Sequence, residues 1–223
     1  AQYYGAKDQK NIHQTIHTSI LISLIGGIIL IAVGVLLARP LLELMATPED
    51  VLDQATLYMK IYFCGMPATM VYNFGAAILR AIGDTRRPLY FLFTAGVLNV
   101  FLNLFFVIVF HMGVAGVALA TIISQTLSAI LVVRCLTNLD GICRLYLKQL
   151  KIYPEKLLRI VQIGLPAGLQ GAVFSISNVL IQSSVNSFGS IAMAGNTAAS
   201  NLEGFVYTSM NAVYQTALSF TSQ

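Results

Sequence analysis

The chain has 223 residues, of which 57% are hydrophobic and only 10% charged, and its mean hydropathy is +0.75. A water-soluble domain carries roughly a quarter of its residues charged, so this composition excludes water as the main solvent and points to a bilayer. The net charge of +4 does not point to nucleic acid, because the basic residues sit in separate clusters between apolar runs and not along one solvated face.

The chain opens on AQYYGAKDQKN, which is polar, lacks an initiator methionine and has no signal-peptide form. It closes on FTSQ straight after an apolar run. The expectation is a piece of a longer chain. His13 and His17 lie one helical turn apart, which is metal-ligand spacing, but no nearby Cys, Asp or Glu completes a set, so a surface-lying pair is expected. Cys64, Cys135 and Cys143 have neither zinc spacing nor paired placement and read as free thiols.

About 20 mainly apolar residues cross the hydrocarbon core as a helix. Residues 16–42 meet that length and are closed by Pro40 and the acids Glu43, Glu49, Asp50 and Asp53. Residues 55–79 form a second predicted span with Gly65 and Pro67 in its middle, where the lost backbone bond predicts a kink. Then comes GAAILRAIGDTRRPLY, a charged hairpin that hydrocarbon would not tolerate. Pro88 suits the first turn of a new helix, because the amide hydrogen it lacks would be unpaired there. The third span is 89–110 and the fourth 114–136, joined by the tight HMG turn.

Residues 137–159 break the pattern with Arg144, Lys148, Lys151, Lys156 and Arg159. Their apolar and basic residues alternate at roughly helical spacing, which predicts an amphipathic helix along the interface, linking two halves. A fifth span follows at about 160–187 and a sixth at about 191–220, turned by FGS. The expected fold is an all-α membrane protein of six transmembrane helices. Eleven of the 13 Lys and Arg residues fall on the side shared by the N-terminus, the 83–88 hairpin and the linker; Arg39 and Lys60 fall on the other. The positive-inside rule then places both ends in the cytoplasm, in a multi-pass plasma (cytoplasmic) membrane protein.

Polar side chains inside such spans need partners or a wet cavity. Asn99 and Asn103 share one helix face, and Thr121, Ser124 and Gln125 lie on the next span. For any one of them the ordinary reading is a hydrogen bond between helices; two polar faces opposite one another suggest a site. Gly113, Gly116 and Ala120 have the small-residue spacing of close helix packing. Asn178 and Gln182 belong to a polar stripe on the fifth span. Asn196, Glu203, Tyr207 and Asn211 belong to one on the sixth. Glu203 is the only acid well inside an apolar run, so it is a functional candidate, with an interfacial or bundle-paired carboxylate as the plainer reading. No GxSxG, HExxH or phosphate-cradling loop occurs, and nothing in the sequence makes a case for an enzyme, a metal centre or an organic cofactor.

Five stretches, AQYYGAKD, GAAILRAIGDTRRPLY, NVFLNLFFV, GVAGVALAT and SNLEGFVYTSMNAVYQTALSFTSQ, together resemble the multidrug and toxic compound extrusion (MATE) transporters, especially the branch named after DNA-damage-inducible protein F. The resemblance implies a two-lobed, twelve-helix parent, of which residues 1–136 would hold helices three to six of the first lobe. Residues 137–159 would be the interlobe linker and 160–223 helices seven and eight of the second lobe. AQYYGAKD resembles what would follow the closing TSQ, so the chain covers one repeat length out of phase.

The same resemblance assigns roles. Related transporters combine an Asp on helix one with an Asn and an acid on helix five and a Thr on helix six. Asn99 matches the Asn, Asn103 stands where the acid would be, and Thr121 matches the Thr. The departure at Asn103 removes one titratable group. Another branch carries a sodium-binding Glu on helix seven, where GLPAGLQGAVF has no acid, and this leaves Glu203 as the second-lobe acid. The implied activity is secondary active export of amphiphilic or cationic small molecules by Na⁺ or H⁺ antiport. Asn178, Gln182, Asn196, Tyr207 and Asn211 would shape the cavity, and the absent helices of the parent chain would be partners. Two alternatives stand beside it. A lipid-linked oligosaccharide flippase of the same superfamily needs several cavity cations to hold a pyrophosphate, and Lys60 is the only such base here; a non-transporting membrane scaffold needs none.

Overall fold

The computed structural model describes residues 2–44, 49–139, 141–186 and 190–221. Among them the regular structure is helical throughout: α1 (Gln2–Gly5), α2 (Gln9–Leu44), α3 (Glu49–Cys64), α4 (Met66–Ala81), α5 (Arg86–Leu104), α6 (Gly113–Thr137), α7 (Pro154–Asn186) and α8 (Ser190–Thr221). Of the FGS turn, Phe188 and Gly189 lie outside the described residues and Ser190 begins α8. The chain divides into two compact units, 1–153 and 154–223.

Among the described residues four helices are long and apolar enough to cross a membrane, Gln9–Glu43, Arg86–Val109, Gly113–Thr137 and Pro154–Asn178. The second predicted span differs from its expectation. It is not one kinked helix but two, α3 and α4, meeting at Gly65, with Pro67 in the first turn of α4. Pro67 starts a helix where its missing N–H costs nothing, and the chain restarts there instead of bending through. The polar α8 is not among the four apolar helices.

Sequence chemistry sets the corners of the first unit. Asp8 opens α2 by accepting from the Asn11 backbone N–H at 3.1 Å, a helix cap on the exposed first turn. At the end of α4, Gly83 adopts a φ of +88°, its N–H donates to the Arg80 carbonyl, and the Asp84 N–H donates to Leu79. This is the paired closure that glycine permits at a helix end. Asp84 then accepts from the Arg87 N–H at 3.1 Å to begin α5, and the Tyr72 hydroxyl ties the hairpin by donating to the Pro88 carbonyl at 3.0 Å. Beyond α5 the helix widens into a π-helical turn, Phe105–Val109, before the HMG turn, where His111 and Gly113 both take positive φ.

Helices α2, α4 and α6 pack around a core that gathers at one end of the unit: Ile12, Ile16 and Ile20 against Tyr72, Ala76 and Leu79, with Ala129, Val132 and Leu136 from α6. Close approach depends on glycine. A β-carbon built at Gly27 would overlap Pro67, and one at Gly34 would overlap the Phe63 ring.

The linker is not the interfacial helix that its spacing suggests. Its described residues up to Tyr153 run as an irregular strap with one 3₁₀ turn, Leu147–Gln149, and bury Cys143 and Leu145 in the core of the first unit, before α7 takes over at Pro154. Cys143 and Leu145 point into protein, and tertiary contact overrides local periodicity. His17 holds the strap. It is not a surface histidine: it is 0% exposed, its Nε2 accepts from the Tyr146 backbone N–H at 3.1 Å, and its Nδ1 lies 2.8 Å from the His13 carbonyl. One nitrogen accepts, so the other carries the proton and donates. Thr18 Oγ1 adds a second tie, accepting from the Tyr153 N–H at 3.2 Å.

Candidate functional site

The face shared by Asn99 and Asn103 on α5 meets α6 at Thr121, and the three side chains form a hydrogen-bonded row. Asn103 Nδ2 donates to Asn99 Oδ1 at 2.9 Å, Asn99 Nδ2 reaches Thr121 Oγ1 at 3.5 Å, and Thr121 donates back to the Val117 carbonyl at 3.0 Å. All three residues are half-buried. Helical spacing aligns the two asparagines, four residues apart, and the short α5–α6 connection makes the helices antiparallel neighbours.

One atom of the row lacks a partner. The buried Oδ1 of Asn103 makes no hydrogen bond within the described protein. A buried acceptor without a donor costs free energy, so this oxygen suits a hydrogen-bond donor or a cation that the protein does not itself supply. The donor set is neutral: two amide oxygens and a hydroxyl. Such oxygens are ligands for a hard cation such as Na⁺, and none of them titrates in the range where a proton is exchanged.

Around this row α6 is more polar inside than its spacing first suggests. Ser124 and Ser128 are buried, and they bond to the Ala120 and Gln125 carbonyls at 2.8 and 2.9 Å. Their hydroxyls are satisfied within their own helix and are packing groups.

The second unit presents its candidates differently. Asn178 on α7 and Glu203, Tyr207 and Asn211 on α8 are exposed, and Asn196 is half-buried; the Gln182 side chain lies outside the described residues. Glu203, Tyr207 and Asn211 fall four apart along one face of α8. Hydroxyls on these helices bond to their own backbones, as Ser177 does to Val173 at 3.0 Å and Thr208 to Gly204 at 2.8 Å. Among the described residues no group of three His, Cys, Asp or Glu side chains has metal-holding geometry.

The His17–Thr18 anchorage had no motif to announce it. Its signal was the row Ile12, Ile16 and Ile20, which flanks His13 and His17 and marks that side of α2 as a core face.

Comparison with known proteins identifies relatives of the chain. Residues 1–105 match the MatE family model. The chain is 35% identical over 184 residues to the probable multidrug resistance protein YpnP of Bacillus subtilis, an alignment covering 78% of this chain and 39% of that protein. It is 28% identical over 229 residues to DNA damage-inducible protein F of Escherichia coli, covering 100% and 45%. The fold superposes on a mutant of the Vibrio cholerae MATE transporter VcmN with a TM-score of 0.88 at 25% identity, covering 99% of this chain and 50% of that one. The chain spans about half the length of these relatives, or less.

Proposed function

The chain belongs to the MatE family, and from that premise we propose that it is part of a secondary active transporter that exports amphiphilic or cationic small molecules in exchange for Na⁺ or H⁺. The observation that carries this reading is the row Asn99, Asn103 and Thr121 with its unpartnered buried oxygen. Coupling requires the cation and the substrate to favour different conformations, so each must bind the two states with different affinity. A cation held by Asn103 Oδ1, with the Asn99 and Thr121 oxygens beside it, would bridge α5 and α6 and favour the arrangement in which they lie together.

The neutral donors support a role in coordinating a cation, and a transferred proton would reside on another group. Glu203 is the acid we assign to the second unit, with Asn178, Gln182, Asn196, Tyr207 and Asn211 lining the substrate path. The bias of Lys and Arg toward the linker side supports a plasma-membrane protein with both described ends cytoplasmic.

The test is efflux of a fluorescent cation from vesicles carrying the intact protein, driven in turn by a Na⁺ gradient and a pH gradient. Asn103→Ala and Asn99→Ala are expected to weaken the cation dependence by about tenfold or more, the scale for losing a supporting group at a metal site. If Asn99→Ala and Glu203→Gln both leave efflux and its cation dependence unchanged, the site assignment is wrong.

A further inference from the structure

On the side of α6 away from the polar row, the first unit carries a groove of about 490 Å³. At about 100° per residue, Ile130 lies roughly 180° around the helix from Thr121, so this groove and the candidate cation row do not share a wall of α6. Leu24 of α2, Val71 of α4 and Ala129, Ile130 and Val133 of α6 line it, with Leu147 of the strap. One charge stands among the lining residues, Arg134 in the last turn of α6. Arg39 and Arg87 each face a carboxylate, whereas the Arg134 guanidinium makes no ion pair among the described residues.

We propose that this groove holds an acyl chain of an anionic phospholipid, with its headgroup phosphate against Arg134. Length favours this occupant. From Thr126 to Arg134 the groove follows α6 for about 12 Å at 1.5 Å per residue, most of the roughly 15 Å depth of half a hydrocarbon core. Charge favours it too: the long arginine stem lies along apolar surface while its head reaches the interface, and cations there attract anionic headgroups. The groove is therefore apolar over most of one leaflet's depth and cationic only at the headgroup level. Leu147 belongs to the strap, so a seated lipid also touches the segment that His17 and Thr18 hold in place. This inference rests on membrane embedding alone and is independent of the export reading.

The experiment uses the intact protein in phosphatidylcholine nanodiscs containing a phosphatidylglycerol or a phosphatidylcholine probe, each with a photoactivatable group at mid-chain. Cross-links are mapped by mass spectrometry. Ala129, Ile130 and Val133 are expected to label more strongly with phosphatidylglycerol, by about five-fold for each base engaged. Arg134→Gln should abolish that preference, Arg134→Lys should retain it, and Ile130→Trp should block labelling by both probes. Should Arg134→Gln fail to fold, as judged by size-exclusion profile, the lysine and tryptophan variants still decide the matter. Equal labelling by the two lipids would overturn the proposal, because it would mean boundary lipid only. So would groove labelling no greater than that of Phe93 and Phe101 on the exposed face of α5, or no groove labelling at all because a protein segment covers it.

Discussion

The polar stripe of α5 and α6 and the polar stripe of α7 and α8 follow the same three-to-four spacing, yet the first closes on itself and the second faces outward. Asn99, Asn103 and Thr121 find one another across an antiparallel pair, whereas Glu203, Tyr207 and Asn211 stand exposed along one helix. Periodicity identifies a face, and only a neighbouring element gives that face a partner. The same contrast holds for the two units as wholes. The first has a shared core of three helices and a strap, and the second is a pair of helices whose described side chains are mostly exposed.

Glycine substitution should separate the units most sharply. Gly27→Val drives a branched side chain into the backbone of Pro67 and is expected to cost about 1–3 kcal/mol, or more if the helices cannot part. Gly204→Ala meets nothing within 4 Å and should fall within about 0.5 kcal/mol of the parent. Thermal unfolding of the two variants in the same detergent checks this, and equal losses would erase the distinction between a packed unit and an open one.

The next effect concerns the strap. His17→Ala leaves the Tyr146 N–H without its acceptor, at an expected cost of about 1–3 kcal/mol. If opening is fast relative to cleavage, trypsin should then cut at Arg144 and Lys148 faster by about tenfold for each 1.4 kcal/mol lost. Glu203→Gln, on an exposed face of the other unit, should leave that rate unchanged. An unchanged rate in His17→Ala would mean that Thr18 and the buried Leu145 hold the strap without the imidazole.

The smallest effect is chemical. Burial pushes the Cys143 thiol up from its ordinary value, and the thiolate is the species that alkylates. At a given pH less of it is ionised than of free cysteine, so its labelling by a soluble maleimide should rise only at higher pH. Labelling of Cys143 in step with free cysteine would show that the strap is open.

Much of this was legible in the chain itself. Gly83, Asp84 and Pro88 announce the α4–α5 hairpin because each residue type suits one backbone position, and Asn99, Asn103 and Thr121 announce their row because four-residue spacing fixes a face. The break at Gly65 was legible only as a disturbance: a proline inside an apolar run signals equally a bend or a new start, and the packing of Gly27 against Pro67 decides between them. The strap was misread because Cys143 and Leu145 are apolar for a reason outside their own segment. His17 was misread for the same reason, since the backbone N–H that occupies it belongs to a residue 129 positions away.

The π-helical turn at Phe105–Val109 holds more residues per revolution than the helix before it, so it re-aims every side chain that follows. Asn103 lies just ahead of that turn. Phe106 lies inside it, against Gly116 at the start of α6, and Phe105 meets Phe110 edge to face at 5.1 Å. A one-residue slip confined to this turn would swivel the aromatic corner while the oxygens of Asn99 and Asn103, ahead of it, stayed still. The helix thus keeps its change of pitch beyond its paired asparagines, and the phenylalanines there form a corner of their own.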